Sequence, residues 1–341
     1  MKPVTLKQIA ETLGISVTTV SKALKDYPDV SKKTKRLVKE LAETLNYRPN
    51  AFAVTLRTKE SKTIGLIIPE VVHHFFSSVI KGIIAQAEKK GYLVIILQSN
   101  ESYELEKKQI DLLLSKRVDG VLISLANGTG NFKHLNDLMV QGTPLVMFDK
   151  IAKIVNCSKV IINDRKADYT ATKHLIDSGC KRIAHFRGPL LPQNSIDRFL
   201  GYKQALTDHG FTYDPSLVYI LKDMSFDEGT FFTKQLLKDH KDIDGIFINT
   251  DLVAIGAITE LNKQGIKVPD NISIIGFSNW FMSSVISPTL TTINQPGYLM
   301  GKTAFKLLYK EIKGRKKKDA IVYKEVELPT ELIVRESTKH V

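Results

Sequence analysis

Apolar residues recur along this chain in two rhythms. Up to about position 45 they return every three or four residues, the helical spacing. In TLKQIAETLG, Ile9, Ala10 and Leu13 share one face; Thr5 and Gln8 form a capping box, Val4 is placed to staple against Ile9, and Gly14 ends the turn. A second helix starts at Ser16, a side chain suited to cap it. At about 100° per residue its positions divide. Thr19, Val20, Ala23 and Leu24 face the first helix, while Val17, Thr18, Ser21 and Lys22 form a small, polar, basic face turned away. A third helix is expected from Ser31 to about Leu45, with Leu37, Leu41 and Leu45 completing a small core. Helix, glycine turn, helix and supporting helix is the helix-turn-helix arrangement, whose second helix enters the major groove.

From Thr63 the rhythm changes. TIGLIIP, YLVIILQS, VDGVLIS and PLVMFD are short apolar runs separated by amphipathic helices, and KVIIN, RIAHF, LVYIL, DGIFIN and SIIGF repeat the pattern. Such runs are parallel strands covered on both faces. The two series, roughly 63–161 and 162–289, predict two doubly wound α/β subdomains. LTTINQPGYLMGKTAFKLLYKEI adds a strand and a helix, and ELIV a last strand. Ligands in such folds bind outside the carboxyl ends of the strands, so a cleft is expected between the subdomains. The strand ends nominate Phe75 and Phe76 beside His73 and His74, then Asp149, Asp164, Thr250, Asp251, Ser278, Asn279 and Trp280. Plainer roles compete: Phe75 and Phe76 as core, Asp164 and Asp251 as helix caps, Trp280 as loop packing.

Composition narrows the class. The 341 residues, 43% hydrophobic and 25% charged, suit a globular protein of two or three domains. No apolar run reaches membrane-spanning length and MKPVTLKQIAETLG lacks the hydrophobic segment of a signal peptide, so a cytoplasmic location is expected. Cys157 and Cys180 fit neither a disulfide framework nor a zinc set. The net charge is +13, and residues 1–62 hold 13 Lys and Arg against 6 Asp and Glu, which points to a polyanion. Arg315-Lys316-Lys317-Lys318 is a second basic cluster, read as a solvated loop after a helix. Enzyme signals are weak. GTGN lacks the third glycine of a dinucleotide loop, and PGYLMGKT has Pro296 where a phosphate loop needs its first glycine. His73-His74 has no third ligand in register. A non-enzyme without cofactor or metal is expected.

VTLKQIAETLGISVTTVSKAL, followed by VSKKTKRLVKELAETLNYRPNAFAVTLR, resembles the DNA-binding segment of the lac repressor and galactose repressor family, and the resemblance continues to LPTELIVREST near the end. It implies a homodimeric DNA-binding transcriptional regulator, a repressor controlled by a small effector such as a sugar or sugar derivative. Residues 1–48 would be the headpiece, 49–62 a hinge helix and linker, and 63–341 a periplasmic-binding-protein-like core. Its subdomains would comprise 63–161 plus 290–322, and 162–289 plus 323–341. A palindromic double-stranded DNA operator would be contacted by Thr5, Ser16, Val17, Thr18, Ser21, Lys22 and Ser31. The hinge would add Asn50, Ala53 and Leu56, with Leu56 wedged into a minor-groove base step. Arg198 in SIDRFLGY matches the family's ligand-clamping arginine, with a structural ion pair as its plainer role. Two departures stand out: Val54 where many relatives are basic, and Ser278 where an aspartate is common. An exported solute-binding protein and a phosphotransferase using Gly301-Lys302-Thr303 are the competing readings; the basic N-terminal segment argues against the first and Pro296 against the second.

Overall fold

A computed structural model of the protein describes residues 4–47, 60–317 and 320–339. The hinge expected over 50–57, with Asn50, Ala53 and Leu56, lies outside them. The chain divides into two compact units, Met1–Ser61 and Lys62–Val341.

The first unit holds α1 (Leu6–Leu13), α2 (Val17–Leu24) and α3 (Lys32–Thr44). The amide of Gln8 donates to Thr5 Oγ1 at 3.3 Å, and the amide of Thr5 donates to Gln8 Oε1 at 2.8 Å. Gly14 follows α1 at φ +63°, a left-handed turn that favours glycine. Ser16 and Ser31 accept the amides of Thr19 and Thr34 at 3.0 and 3.1 Å. Each such cap satisfies a donor that the first turn leaves unpaired and contributes about 1 kcal/mol. Ile9, Val20, Ala23 and Val38 are fully buried at the centre. Leu37, expected in this core, is instead 41% exposed. Residues four apart drift by about 40° around a helix, so Leu37, Leu41 and Leu45 do not share one line. The inward stripe is Val38 and Ala42, flanked by the partly buried Leu41 and Leu45.

The second unit is built on two six-stranded sheets. The first has β1 (Thr63–Ile68), β2 (Leu93–Gln98), β3 (Gly120–Ile123), β4 (Leu145–Phe148), β5 (Ser158–Ile162) and β11 (Glu325–Leu328), in the order β11-β5-β4-β3-β1-β2. The second has β6 (Ile183–Arg187), β7 (Val218–Ile220), β8 (Gly245–Ile248), β9 (Ser273–Ser278), β10 (Thr291–Asn294) and β12 (Glu331–Ile333), in the order β12-β10-β9-β8-β6-β7. Every pairing is parallel except β10 with β12. The covering helices are α4 (His74–Lys89), α5 (Tyr103–Ser115), α6 (Lys133–Val140), α7 (Asp164–Asp177), α8 (Gln193–Asp208), α9 (Phe226–Asp239), α10 (Asp251–Lys263) and α11 (Gly297–Lys317).

Two segments join the sheet opposite to the one expected. β10, placed by sequence with the first subdomain, pairs with β9 in the second sheet, and β11, placed with the second, pairs with β5 in the first. A four-residue apolar strand carries no record of which sheet edge will take it; pairing decides. The chain therefore crosses between the sheets after Ile162, after Asn294 and after Leu328.

The structure also reassigns two motifs. Gly301-Lys302-Thr303 lies inside α11, not in a phosphate-binding loop. A Cβ at Gly301 would stand 2.0 Å from the carbonyl oxygen of Val79, and one at Gly82 would stand 2.2 Å from that of Tyr298. These glycines let α4 and α11 touch backbone to backbone. Arg315, Lys316 and Lys317 form the last turn of α11 and are not in a loop.

Candidate functional site

In the first unit, Val17 and Thr18 are exposed at the start of α2, and Ser21 and Lys22 are half-buried on the same side. Ser16 and Ser31 are committed through their oxygens to helix caps, as is Thr5. Lys22 is not idle: its ammonium is ion-paired with Asp29, and that hydrogen bond pulls the Asp29 carboxyl below its ordinary range. A half-exposed pair of this kind is screened by solvent, so Lys22 is free to exchange Asp29 for another acceptor at little cost.

In the second unit, a cavity of about 260 Å³ opens where the carboxyl ends of both sheets face each other. Of the nominated residues, Phe75, Phe76, Asp149, Arg198, Thr250, Asp251, Ser278 and Trp280 line it. Phe76 is also a core residue at 5% exposure, and its ring meets that of Phe75 edge-on at 5.2 Å. Thr250 caps α10 by accepting the amide of Val253.

Arg198 plays both of its competing roles. Its Nε donates to Asp164 Oδ1 at 2.7 Å, its Nη1 donates to the carbonyl of Asn249 at 3.2 Å, and the guanidinium lies 3.7 Å over the Phe277 ring. A fork held on three sides is fixed before any ligand arrives. Asp164 stands behind Arg198 and is not among the residues lining the cavity. Burial pushes its carboxyl up to about 7 against the pull of that guanidinium.

Two other nominated residues face their own fold. The Asp251 carboxylate accepts from the Trp280 amide at 2.6 Å, Ser283 Oγ at 2.8 Å and Thr292 Oγ1 at 2.6 Å. Its acceptor capacity is largely spent on pinning the loop after β9. Asn279 lies outside the cavity lining; its amide nitrogen donates to Asn294 Oδ1 at 3.2 Å and its oxygen accepts from Arg335 at 2.8 Å. Ser278 Oγ donates to Gln295 Oε1 at 3.3 Å. The carboxylate missing at Ser278 is thus not replaced by Asn279; Asp149 remains, accepting from Ser124 at 3.2 Å and Gln295 at 3.5 Å. Burial raises its carboxyl, with Lys150 and Arg198 opposing.

Sequence reading missed several lining residues. Lys150 donates to Glu101 Oε1 at 2.5 Å and to Asn127 Oδ1 at 2.7 Å, and the Asn127 amide donates to Glu101 Oε2 at 2.7 Å. Ser195 and Asn249 are 4% and 2% exposed, and Ser195 Oγ and Asn249 Oδ1 have no hydrogen-bond partner. Gly188 packs closely against both: a Cβ there would lie 3.1 Å from Ser195 Oγ and 3.2 Å from Asn249 Nδ2. Asn249 is the residue before the nominated Thr250, so the strand-end rule reached its neighbourhood. Ser195 sits on a helix, where that rule gives no signal.

Among the described residues, no group of His, Cys, Asp and Glu side chains is placed to hold a metal ion, and no helix is long and apolar enough to cross a membrane.

Comparison with known proteins agrees with this architecture. Residues 5–50 match the bacterial regulatory proteins of the lacI family, and residues 61–335 match the periplasmic binding proteins and sugar binding domain of the LacI family. The chain is 33% identical over 335 residues to the ribose operon repressor of Halalkalibacterium halodurans, covering 98% of this chain and 97% of that protein. It is 34% identical over 314 residues to the transcriptional repressor CytR of Escherichia coli, covering 91% and 90%. The lac repressor dimer bound to operator and an anti-inducer superposes with a TM-score of 0.88 at 26% identity, covering 99% of this chain and 100% of that one. The two family models together span nearly the whole chain, one on each unit, and the chain belongs to the LacI family of bacterial regulatory proteins.

Proposed function

We propose that this protein is a cytoplasmic, dimeric transcriptional repressor whose hold on a palindromic operator is set by an uncharged polyhydroxylated effector, a sugar or nucleoside, bound in the cleft. The observation that carries the effector reading is the pair of unpartnered buried atoms, Ser195 Oγ and Asn249 Oδ1, on two residues that line the cleft next to Gly188. A buried polar atom without a partner costs about 1–3 kcal/mol, and a ligand hydroxyl recovers that loss. Phe75 and Trp280 supply aromatic faces for the CH surface of a ring. The two deep cations are already matched, Lys150 by Glu101 and Arg198 by Asp164, so a phosphate finds little spare positive charge. Relatives support the class: one is named a ribose operon repressor, and a LacI-family regulator from Enterococcus faecium is seen with bound ribose. On DNA, the exposed Val17 and Thr18 with Lys22 suit base edges, and the two-fold dimer calls for two half-sites.

A thermal-shift screen of sugars, sugar acids, sugar phosphates and nucleosides tests the effector class, because a ligand that binds the native state raises the midpoint by mass action. The expected hit is neutral and alters operator affinity in a gel shift. A phosphorylated ligand that outbinds its neutral parent refutes the charge argument.

A further inference from the structure

The parallel strands of the first sheet all begin at one end of that subdomain, and the chain enters the core there at Lys62. Helices α4, α5 and α11 end there too. Lys90 lies 5.3 Å over the Tyr309 ring, a Cβ at Gly120 would meet Leu308 and Ile312, and Arg315 Nη1 lies 3.5 Å from the Cβ position of Gly142. Three charged segments at this end are 88–90, 116–119 and 310–317. Together they carry nine Lys and Arg against three Asp and Glu, a surplus of six. Residues 63–341 as a whole hold 36 Lys and Arg against 30 Asp and Glu, also a surplus of six. The remainder of the core is therefore balanced, and its entire net charge is gathered at one end. Lys89, Lys116, Lys310 and Lys317 are exposed on it. Five gaps of about 4.8 Å between six strands make it roughly 24 Å wide. Cations near helix C-termini complement the helix dipole, but that effect is confined to the last turn and does not call for three consecutive basic residues.

We propose that this end of the core is a second DNA-facing surface, which contacts the phosphates of duplex flanking the operator without reading its sequence. The inference rests on the DNA-binding function of the first unit. The core follows the first unit directly in the chain, at Lys62. Whenever the reading unit is on DNA, the basic end is tethered to that DNA by the same chain, at an effective concentration on the order of millimolar. A polyanion so close is a nearer partner for this charge than an acidic protein arriving from solution.

The salt dependence of binding tests the proposal. The full-length protein is titrated against a mixed-sequence duplex of about 40 base pairs, which offers roughly 80 phosphates, across a series of KCl concentrations. Each neutralised phosphate contributes about 0.9 to the slope of log affinity against log salt. The variant combining Lys89→Gln, Lys116→Gln, Lys310→Gln and Lys317→Gln should flatten the slope by at least about 1.8, two contacts. The matching Lys→Arg variant should keep the wild-type slope. A smaller change in the Gln variant, at an unaltered thermal midpoint, overturns the proposal and leaves the patch to an acidic protein. If that variant fails to fold, Lys310→Gln with Lys317→Gln on the same helix should still flatten the slope by at least about 0.9. Wild-type protein that binds no duplex at any salt overturns the DNA-binding function itself, which separates the two failures.

Discussion

Replacing Gly188 with alanine adds one methyl group at the point where the cleft is most specifically shaped. That Cβ would lie 3.1 Å from Ser195 Oγ and 3.2 Å from Asn249 Nδ2, each a few tenths of an ångström inside ordinary contact. The Asn249 and Ser195 side chains must yield, and the buried oxygens Ser195 Oγ and Asn249 Oδ1, which a ligand hydroxyl would meet, shift with them. Two neutral hydrogen bonds at about 0.5–1.5 kcal/mol each amount to about 1–3 kcal/mol, a loss of roughly 5- to 140-fold in effector affinity. The fold should tolerate the change, because Gly188 is not held at positive φ and alanine there restricts the unfolded chain. Calorimetric titration of the best ligand from the screen would give the affinity, with urea melts as the stability control. Gly188→Ala should bind operator normally and respond to effector only at much higher concentration. Unchanged effector affinity would place the ligand elsewhere in the cleft and refute the role given to Ser195 and Asn249.

Four further outcomes are expected. Lys22→Ala should cost about 1–3 kcal/mol at the operator and little on random DNA; equal losses on both would make Lys22 a phosphate contact. Gly301→Ala should destabilise the core by about 1–3 kcal/mol by forcing α11 off the Val79 carbonyl, measured by urea melts. His185 is buried among Phe199, Tyr202 and Phe247, and burial depresses its imidazole to about 3. The unfolded chain takes up this proton below about pH 6.5 while the native protein does not, so stability falls as pH drops; His185→Phe should lose about 2 kcal/mol less than wild type between pH 7 and pH 5. Effector binding should change the emission of Trp280 with the same midpoint as the change in DNA affinity, and Arg198→Ala should abolish that response.

What the sequence disclosed follows the range of the interactions involved. Thr5 with Gln8, and Ser16 and Ser31 as caps, are contacts within four residues, and local spacing suffices to read them. Parallel strands announce themselves as apolar runs for the same reason. Leu37 was misplaced because an i, i+4, i+8 series drifts around the helix, and the true stripe starts one residue later at Val38. β10 and β11 were assigned to the wrong sheets because strand pairing is decided by partners far along the chain. The cleft shows the same limit. Strand ends led to Asp149 and Trp280, but Lys150 is matched to Glu101 across 49 residues, and no local pattern records that pairing. Asp251 and Asn279 sat at the right strand ends, yet their side chains serve the scaffold.

Three chain crossings join the two sheets, and together they limit how the core can come apart. Neither sheet is a continuous stretch of sequence, so one proteolytic cut cannot release either half as an intact body. The core should therefore melt in one transition, even though it looks bilobal. Three tethers in parallel also restrain the kind of movement available: the lobes can swing together over a ligand, while sliding past one another would shear all three at once. An engineer who wishes to graft one lobe of a relative onto this protein must exchange two separate segments in register, with three junctions between them and the other lobe, and a single fusion point will not serve.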